Sequence, residues 1–433
     1  MAILGAGREG LAALAVLSER LRSPDLTVLV EQGERPAGWP GWTGPFDERL
    51  LGFEILLRSP GVPVDHPALV WARETGVTVV NPASIWFSER PDLPVVGVTG
   101  SKGKSTTASL LACLLESSGR KTLLAGNIGR PLLSHLDTEA DIVVLELSSY
   151  QLADLEGNLV MGLVTRLFDE HLDWHGSREA YFSSKMRIVS LLRGRPLLIN
   201  AGDPCLSARA CGIDGVVAAN QAPGFHRRKD ALWLGEKRCL GLDDIQLIGR
   251  HNLDNAALAL AAASALGGNE TELLEALCGF QPLQHRLEVL PGAGGLDWIN
   301  DSISTSPHAT RAALETVGDR PVTLIAGGQA RPADWQPVIE WCRLRPLAGL
   351  VTMPDNGEVV AQTLVASDCV AADRVIRADS VGEAVAAAGC LGSADGVVLL
   401  SPGAPSFPHY RDFEARGEAF RQAVKNYKDR STA

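Results

Sequence analysis

Val95-Val96-Gly97-Val98-Thr99-Gly100-Ser101-Lys102-Gly103-Lys104-Ser105-Thr106-Thr107 decides how this chain is read. A short apolar β run enters a glycine-rich turn ending in Gly-Lys-Ser-Thr, and a helical pattern, Ala108-Ser109-Leu110-Leu111-Ala112, follows. Those are the parts of a phosphate-cradling loop. Glycines let backbone N–H groups curl around a polyphosphate, a lysine reaches its outer phosphates, a hydroxyl holds Mg²⁺, and the helix N-terminus adds its dipole. The usual loop carries a glycine five residues before the Gly of Gly-Lys. Here Val98 stands in that place and the glycines are Gly97, Gly100 and Gly103, so the match is to a variant loop.

The rest of the composition narrows what such a loop can serve. At 433 residues the chain can form two or three domains, and 45% hydrophobic with 21% charged residues is ordinary for a soluble globular protein. A net charge of −11 without a basic stripe argues against nucleic acid as partner. His226-Arg227-Arg228-Lys229 reads as a solvated loop. Eight cysteines without a C-x-x-C pair suit reduced, mostly buried thiols rather than a disulfide frame or a zinc site. No basic lead precedes the first strand and no apolar run approaches the ~18 residues that span a bilayer. A cytoplasmic protein without membrane insertion is expected.

Upstream of the loop, a very short strand at residues 2–4 meets Gly5-Ala6-Gly7-Arg8-Glu9-Gly10, and Leu11 to Leu21 reads as an amphipathic helix. The strand Leu26–Val30 ends at Glu31, about twenty residues past the glycines, as in a dinucleotide fingerprint with its ribose-binding acid. Further strands are Ile55–Val62, running into Ser59-Pro60-Gly61, and Thr78–Val80. Ser88–Asp92 reads as a linker closing a first domain at 1–90.

Downstream, Gly126-Asn127-Ile128-Gly129 is a turn whose backbone is free to approach a ligand. Asp141–Leu145 is a buried parallel strand ending on Glu146, placed to reach a metal carried by the phosphate loop. Asp169-Glu170-His171-Leu172-Asp173-Trp174-His175 is dense in potential ligands, yet H-x-D-x-H is not a strong zinc spacing. Lys185, on the helical stretch Tyr181–Ile188, reads from its neighbours alone as a snorkelling surface lysine. Asn252 and Asn255, before an Ala-rich helix over 256–266, can cap it or hold a nucleotide base. Residues 203–247 are short strands and turns. From 288 onward, strands alternate with helices and end in polar, glycine-rich turns: Asn300-Asp301-Ser302, Gly327-Gly328 and Ser401-Pro402-Gly403. A helix over 411–427 with Phe413, Phe420 and Val424 inward closes the chain. The pattern is α/β: a Rossmann-like N-terminal domain, a central P-loop ATPase-like domain with a mainly parallel sheet (91–287), and a Rossmann-like C-terminal domain (288–433).

Taken in order, these motifs resemble the Mur ligase family, and within it the MurD-type UDP-N-acetylmuramoyl-alanine–glutamate ligases, over nearly the whole chain. The carriers are Gly97–Thr107, Gly126–Gly129, Glu146–Leu152, Asp169–Asp173, Tyr181…Lys185, Gly249…Asn255, His285-Arg286, Asn300–Ser302 and Leu400–Pro402. The resemblance implies ATP and Mg²⁺ as cofactors and small-molecule substrates, UDP-MurNAc-L-Ala and glutamate. It places ATP on Gly100, Ser101, Lys102, Gly103, Lys104, Ser105, Thr106, Asn252, Asn255, Arg286 and Asp301. The UDP-substrate falls to Gly5, Gly7, Gly10, Glu31, Gly61 and Asn127, and the amino acid to Thr305, Arg331, Ser406 and Phe413. Ser105, Glu146, His171 and a carbamylated Lys185 would hold metal, and Lys104, His171 and Lys185 would be catalytic. A monomer is implied.

The departures from the family gather in the third domain. Asn300-Asp301-Ser302-Ile303-Ser304-Thr305-Ser306 has isoleucine where the family has lysine. Gly327-Gly328-Gln329-Ala330-Arg331 has arginine where it has lysine, and the two cations are not interchangeable around a carboxylate. Gly403–His409 also differs. These changes favour the branch that adds L-glutamate, with an epimerase acting downstream, over addition of D-glutamate. An NAD(P) oxidoreductase built on residues 1–90 and a nucleotide-binding protein without ligase activity are the readings from other classes.

Overall fold

The computed structural model describes every residue except 22–24, 32–34, 169–171, 248, 282–283, 294, 331–332, 394 and 432–433. His171 and Arg331 therefore lie outside the described residues. The chain divides into two compact units, Met1–Ile245 with Arg250–Phe280, and Gln281–Ala433 with Gln246–Gly249.

The first unit begins with four short parallel strands, β1 (Ala2–Leu4), β2 (Thr27–Leu29), β3 (Ile55–Arg58) and β4 (Thr78–Val80), in the order β2-β1-β3-β4. Three residues suffice for β1 because both faces are covered. Ala2 and Leu4 pack with Leu56 and Leu69 on one side, while Ile3 packs with Leu14 and Leu17 of the helix Arg8–Arg20 on the other. This is the period-2 alternation of a strand inside a doubly covered sheet.

The second sheet carries β5 (Val95–Thr99), β6 (Thr122–Gly126), β7 (Ile142–Glu146), β8 (Met161–Val164), β9 (Leu197–Asn200) and β10 (Val216–Ala219), ordered β10-β9-β8-β5-β7-β6 and parallel throughout. The chain leaves β5 for the β6 edge and later returns to β8 on the other side. The strand order thus reverses at β5, and a crevice opens at the carboxyl ends of its neighbours. Apolar side chains of the first two sheets share one core, Ile3 and Trp86 with Val95 and Leu145 among them. An antiparallel three-stranded sheet, β11 (Phe225–Arg228), β12 (Ala231–Leu234) and β13 (Lys237–Gly241), accounts for the stretch whose strands were hard to assign.

The second unit is one six-stranded sheet, β14 (Glu288–Ala293), β15 (Leu296–Asn300), β16 (Val322–Gly328), β17 (Gly349–Asp355), β18 (Val375–Arg377) and β19 (Val397–Leu400). Its order is β14-β15-β19-β16-β17-β18, with only β14 antiparallel. Along β19, Val397 and Leu399 face one apolar cluster and Val398 and Leu400 the other. Insertion of β19 between β15 and β16 brings three polar turns to adjacent strand ends.

Several expectations change. His226–Lys229 is not a solvated loop: His226 to Arg228 lie in β11, and His226 is buried. The helix expected from 256 starts at His251, because Asn252 and Asn255 already lie within it. The last helix runs Phe413–Ser431, with Phe420 and Val424 buried as expected. All eight cysteines are free, but only Cys342 and Cys369 are buried. No described helix is long and apolar enough to cross a membrane.

Candidate functional site

The loop after β5 is shaped by two glycines that no other residue could replace without displacement. Gly100 has φ +141°, and a Cβ there would lie 2.0 Å from Thr165 Oγ1. Gly103, at φ +87°, caps the helix Lys104–Ser117, and its Cβ would lie 2.4 Å from Asn255 Oδ1. Without side chains at these positions the loop backbone packs directly on Thr165 and Asn255, in the positive-φ conformation that a phosphate-cradling turn uses. Lys104 Nζ donates to the Ser101 carbonyl at 2.8 Å, which holds the ammonium over the loop. Ser105 is buried at the helix start, while Lys102 and Thr106 are half-buried. The Ser101 N–H donates to the Arg166 carbonyl (2.6 Å), and Thr165 Oγ1 donates to the Lys102 carbonyl (2.6 Å). The end of β8 thus fixes the loop from outside.

Glu146 stands opposite Val98 in the β5–β7 register, level with the loop. It is 1% exposed. Oε1 accepts a hydrogen bond from Asn127 Nδ2 (2.9 Å), whereas Oε2 is buried with no hydrogen-bond partner among the described residues. An ionised carboxylate oxygen left this way costs several kcal/mol, roughly, unless a cation answers it. The Asn127 N–H also donates to the Glu146 carbonyl, so the 126–129 turn and the strand end are one piece. Lys185 is not the snorkelling surface lysine of the sequence reading. It is 2% exposed, because the helix Arg178–Met186 turns it inward, and its Nζ lies 4.8 Å from the centre of the Tyr181 ring.

Asn252 and Asn255 do not cap their helix. Asn255 Nδ2 donates to Asn252 Oδ1 (2.8 Å), which aims the pair at Gly103. Asp254 between them faces elsewhere. Buried, it accepts from Arg227 Nε (2.7 Å), Asn220 Nδ2 (2.9 Å) and the Arg166 guanidinium. Sequence reasoning missed this cluster, since its members are spread over 88 positions. His251 beside it is held below the usual histidine range by burial and then by Arg166.

In the first sheet, Gly5 (φ +90°) and Gly10 are fixed by packing: a Cβ on Gly10 would lie 2.1 Å from the Gly5 carbonyl. Ser59 Oγ donates to that carbonyl (2.9 Å), which joins the fingerprint to the Ser59-Pro60-Gly61 turn. The space around the Cβ positions of Gly7 and Gly61 is open. Glu31 accepts the Phe46 N–H (3.2 Å) and lies 3.3 Å from His66 Nε2. Glu9 joins the two sheets by accepting from Gln151 Nε2 (2.7 Å), and burial raises its pKa against that bond.

In the second unit, Asp301 is buried at the end of β15. Oδ2 accepts from Ser304 Oγ (2.5 Å) and Ser401 Oγ (3.0 Å), and Oδ1 accepts the Leu287 N–H (3.3 Å). Burial pushes its pKa up to about 6, against those bonds and the Arg286 charge. Arg286 Nε is buried without a hydrogen-bond partner among the described residues. Ser302 Oγ donates to the Phe413 carbonyl (2.8 Å). Ser406 is buried and Thr305 is exposed. Arg416 carries no local sequence signal. Buried, it donates to the carbonyls of Ser302 (2.8 Å) and Ala404 (3.0 Å) and to Ser302 Oγ (3.1 Å), and burial lowers its pKa to about 10. Among the described residues no cluster of three histidine, cysteine or acidic side chains could hold a metal alone.

Comparison with known proteins follows the same division. Residues 98–263 match the family model of the Mur ligase middle domain, and residues 285–404 that of the Mur ligase, glutamate ligase domain. A Micromonospora relative is 39% identical over 98% of this chain and 96% of its own length. One from Xanthomonas euvesicatoria is 38% identical over 98% and 94%. Both are named UDP-N-acetylmuramoyl-L-alanine–L-glutamate ligase. In fold, the chain is similar to the UDP-N-acetylmuramate-alanine ligase of Thermotoga maritima (TM-score 0.59, 18% identity, 99% of each chain). It is also similar to the MurF ligase of that organism solved in complex with ADP (TM-score 0.59, 16% identity, 99% and 95%).

Proposed function

Since the chain belongs to the Mur ligase family, we propose that it joins glutamate to UDP-N-acetylmuramoyl-L-alanine in peptidoglycan synthesis, with ATP as the energy source. The observation that carries the chemistry is the glycine-shaped loop of Gly100 and Gly103 beside a buried carboxylate whose Oε2 has no hydrogen-bond partner among the described residues. The loop suits the phosphates of ATP, and the orphaned oxygen of Glu146 suits a divalent cation. Mg²⁺ would be held by Glu146, Ser105, His171 and Lys185 in its carbamylated form, and when bound it neutralises charge on the phosphoryl group in transfer.

The reaction suited to these residues has two steps. An oxygen of the alanyl carboxylate attacks the γ-phosphorus of ATP, giving an acyl phosphate and ADP. The amine of glutamate then attacks the acyl carbon, phosphate leaves, and the amine gives up a proton. Lys104 steadies the transferring phosphoryl group by its charge. In this reading residues 1–90 hold the uridine nucleotide through Gly5, Gly7, Gly10, Glu31 and Gly61, with Asn127 on the muramoyl side. Residues 91–287 bind ATP, and Arg286 and Asp301 match further positions that the family uses for ATP. Residues 288–433 bring the amino acid through Thr305, Arg331, Ser406 and Phe413. The enzyme works as a cytoplasmic monomer.

The incoming amino acid is L-glutamate. The named relatives and the altered turns at 302–306, 327–331 and 403–409 support that enantiomer, and an epimerase acting on the product would follow. The test is ligation onto UDP-N-acetylmuramoyl-L-alanine with each enantiomer, read as ADP release and product mass. L-glutamate is expected to turn over faster, and equal or faster turnover with D-glutamate would sink the assignment.

A further inference from the structure

Tyr181 carries a hydroxyl that its packing does not require. The side chain is wholly buried in the core of the first unit, where phenylalanine would fill the same space without the cost of desolvating a phenol. That hydroxyl donates to Ser101 Oγ at 3.0 Å. Ser101 Oγ in turn donates to the Phe168 carbonyl (2.8 Å) and accepts the Phe168 N–H (3.1 Å). A serine hydroxyl has one proton and two lone pairs, so these three bonds use it completely. Ser101 sits inside the phosphate loop, yet its side chain is committed to holding that loop, and its carbonyl is what receives Lys104 Nζ. Around the Tyr181 ring itself, Lys185 Nζ lies 4.8 Å from the ring centre and His175 makes an edge contact at 5.2 Å between ring centres.

We propose that Tyr181 is a positioning residue that sets the phosphate loop, through Ser101, at a fixed place relative to Lys185, so that nucleotide affinity depends on the Tyr181 hydroxyl. The inference rests on the reading that this loop binds ATP. The ring fixes the lysine side and the hydroxyl fixes the loop side, and only the second is lost in Tyr181→Phe.

The test is calorimetric titration of MgADP into the full chain for wild type, Tyr181→Phe, Ser101→Ala and the double variant. Tyr181→Phe is expected to weaken ADP binding about three- to tenfold, the reach of one buried hydrogen bond. The KM for ATP should rise by a similar factor, with a smaller change in kcat. The double variant should bind within about twofold of Ser101→Ala alone, because both changes break one connection. Wild-type affinity in Tyr181→Phe, or a double variant whose loss is the product of the two single losses, would overturn the inference. Failure of the wild type to bind MgADP would overturn the functional reading and the inference with it.

Discussion

Asp301→Asn separates the two demands made on this carboxylate, since it should stabilise the fold at neutral pH while removing activity. Burial raises the Asp301 pKa from 3.8 to about 6. That difference corresponds to about 3 kcal/mol. Above pH 6 the folded chain must keep an ionised carboxylate out of water that the unfolded chain leaves solvated, so the folded state carries the full penalty. As pH falls from about 6 towards 3.8, native Asp301 takes up its proton while the unfolded one is still ionised, and the penalty fades. Below 3.8 both are protonated and none remains. Asparagine never ionises. Its Oδ1 still accepts from Ser304 and Ser401, but its amide meets the Leu287 N–H donor to donor, a loss of about 1 kcal/mol. The variant should therefore be about 2 kcal/mol more stable than wild type at pH 8 and about 0.5 kcal/mol less stable at pH 4. Urea unfolding at each pH, read by a brief hydrogen-exchange pulse on peptides covering β15 and β19, follows the second unit without requiring the whole chain to unfold in one step. A stability gap that stays constant between pH 4 and pH 8, or a variant less stable at pH 8, would refute the reasoning.

Three other perturbations bear on the first unit. Gly103→Ala forces a Cβ to 2.4 Å from Asn255 Oδ1 at φ +87°, and MgADP affinity measured by calorimetry should fall at least about tenfold; unchanged affinity would mean the loop does not approach the nucleotide. Glu146→Gln keeps an acceptor for Asn127 but removes the buried charge, so kcat should drop about 10²–10³-fold with no loss of melting temperature; a destabilised protein with normal kcat would make the carboxylate structural. Lys185→Ala should lose about a hundredfold or more in turnover and regain part of it with a small added carboxylate, whereas normal activity without rescue would remove the carbamate assignment.

The parts legible in the sequence are those whose physics is local. Four apolar residues ending on Glu146 declare a buried parallel strand and its carboxyl-end site, and the structure places that carboxylate level with the loop. Gly100 and Gly103 announce themselves because positive φ is a property of one residue. What stayed hidden depends on residues distant in the chain. Lys185 looked exposed because its immediate neighbours in the chain do not show that the fold buries it beside the Tyr181 ring. Arg227 looked like part of a basic loop because its partner, Asp254, comes 27 residues later on a helix. A buried arginine such as Arg416 has no local signature at all: its acceptors are main-chain carbonyls at Ser302 and Ala404, which any sequence could supply.

The polar turns of the two units are framed differently. Around the phosphate loop the frame is made by side chains, with Ser101, Thr165, Tyr181, Asn127 and Asn255 each bonded to or packed on a particular partner. Replacing any of them leaves a buried polar group without its mate, so divergence there is costly. In the second unit the side-chain bonds of Asp301 to Ser304 and Ser401 are joined by a set of main-chain ties between the turns at the strand ends. The Gly327 N–H donates to the Pro402 carbonyl (2.9 Å) and the Gln329 N–H to the Pro405 carbonyl (3.0 Å), while Gly328 packs where a Cβ would lie 2.4 Å from that same carbonyl. Arg416 clamps two more carbonyls. Main-chain ties are indifferent to the side chains they carry. At Gln329 and at Ile303, whose N–H donates to the His285 carbonyl (3.1 Å), the side chain can therefore change while the turn keeps its shape.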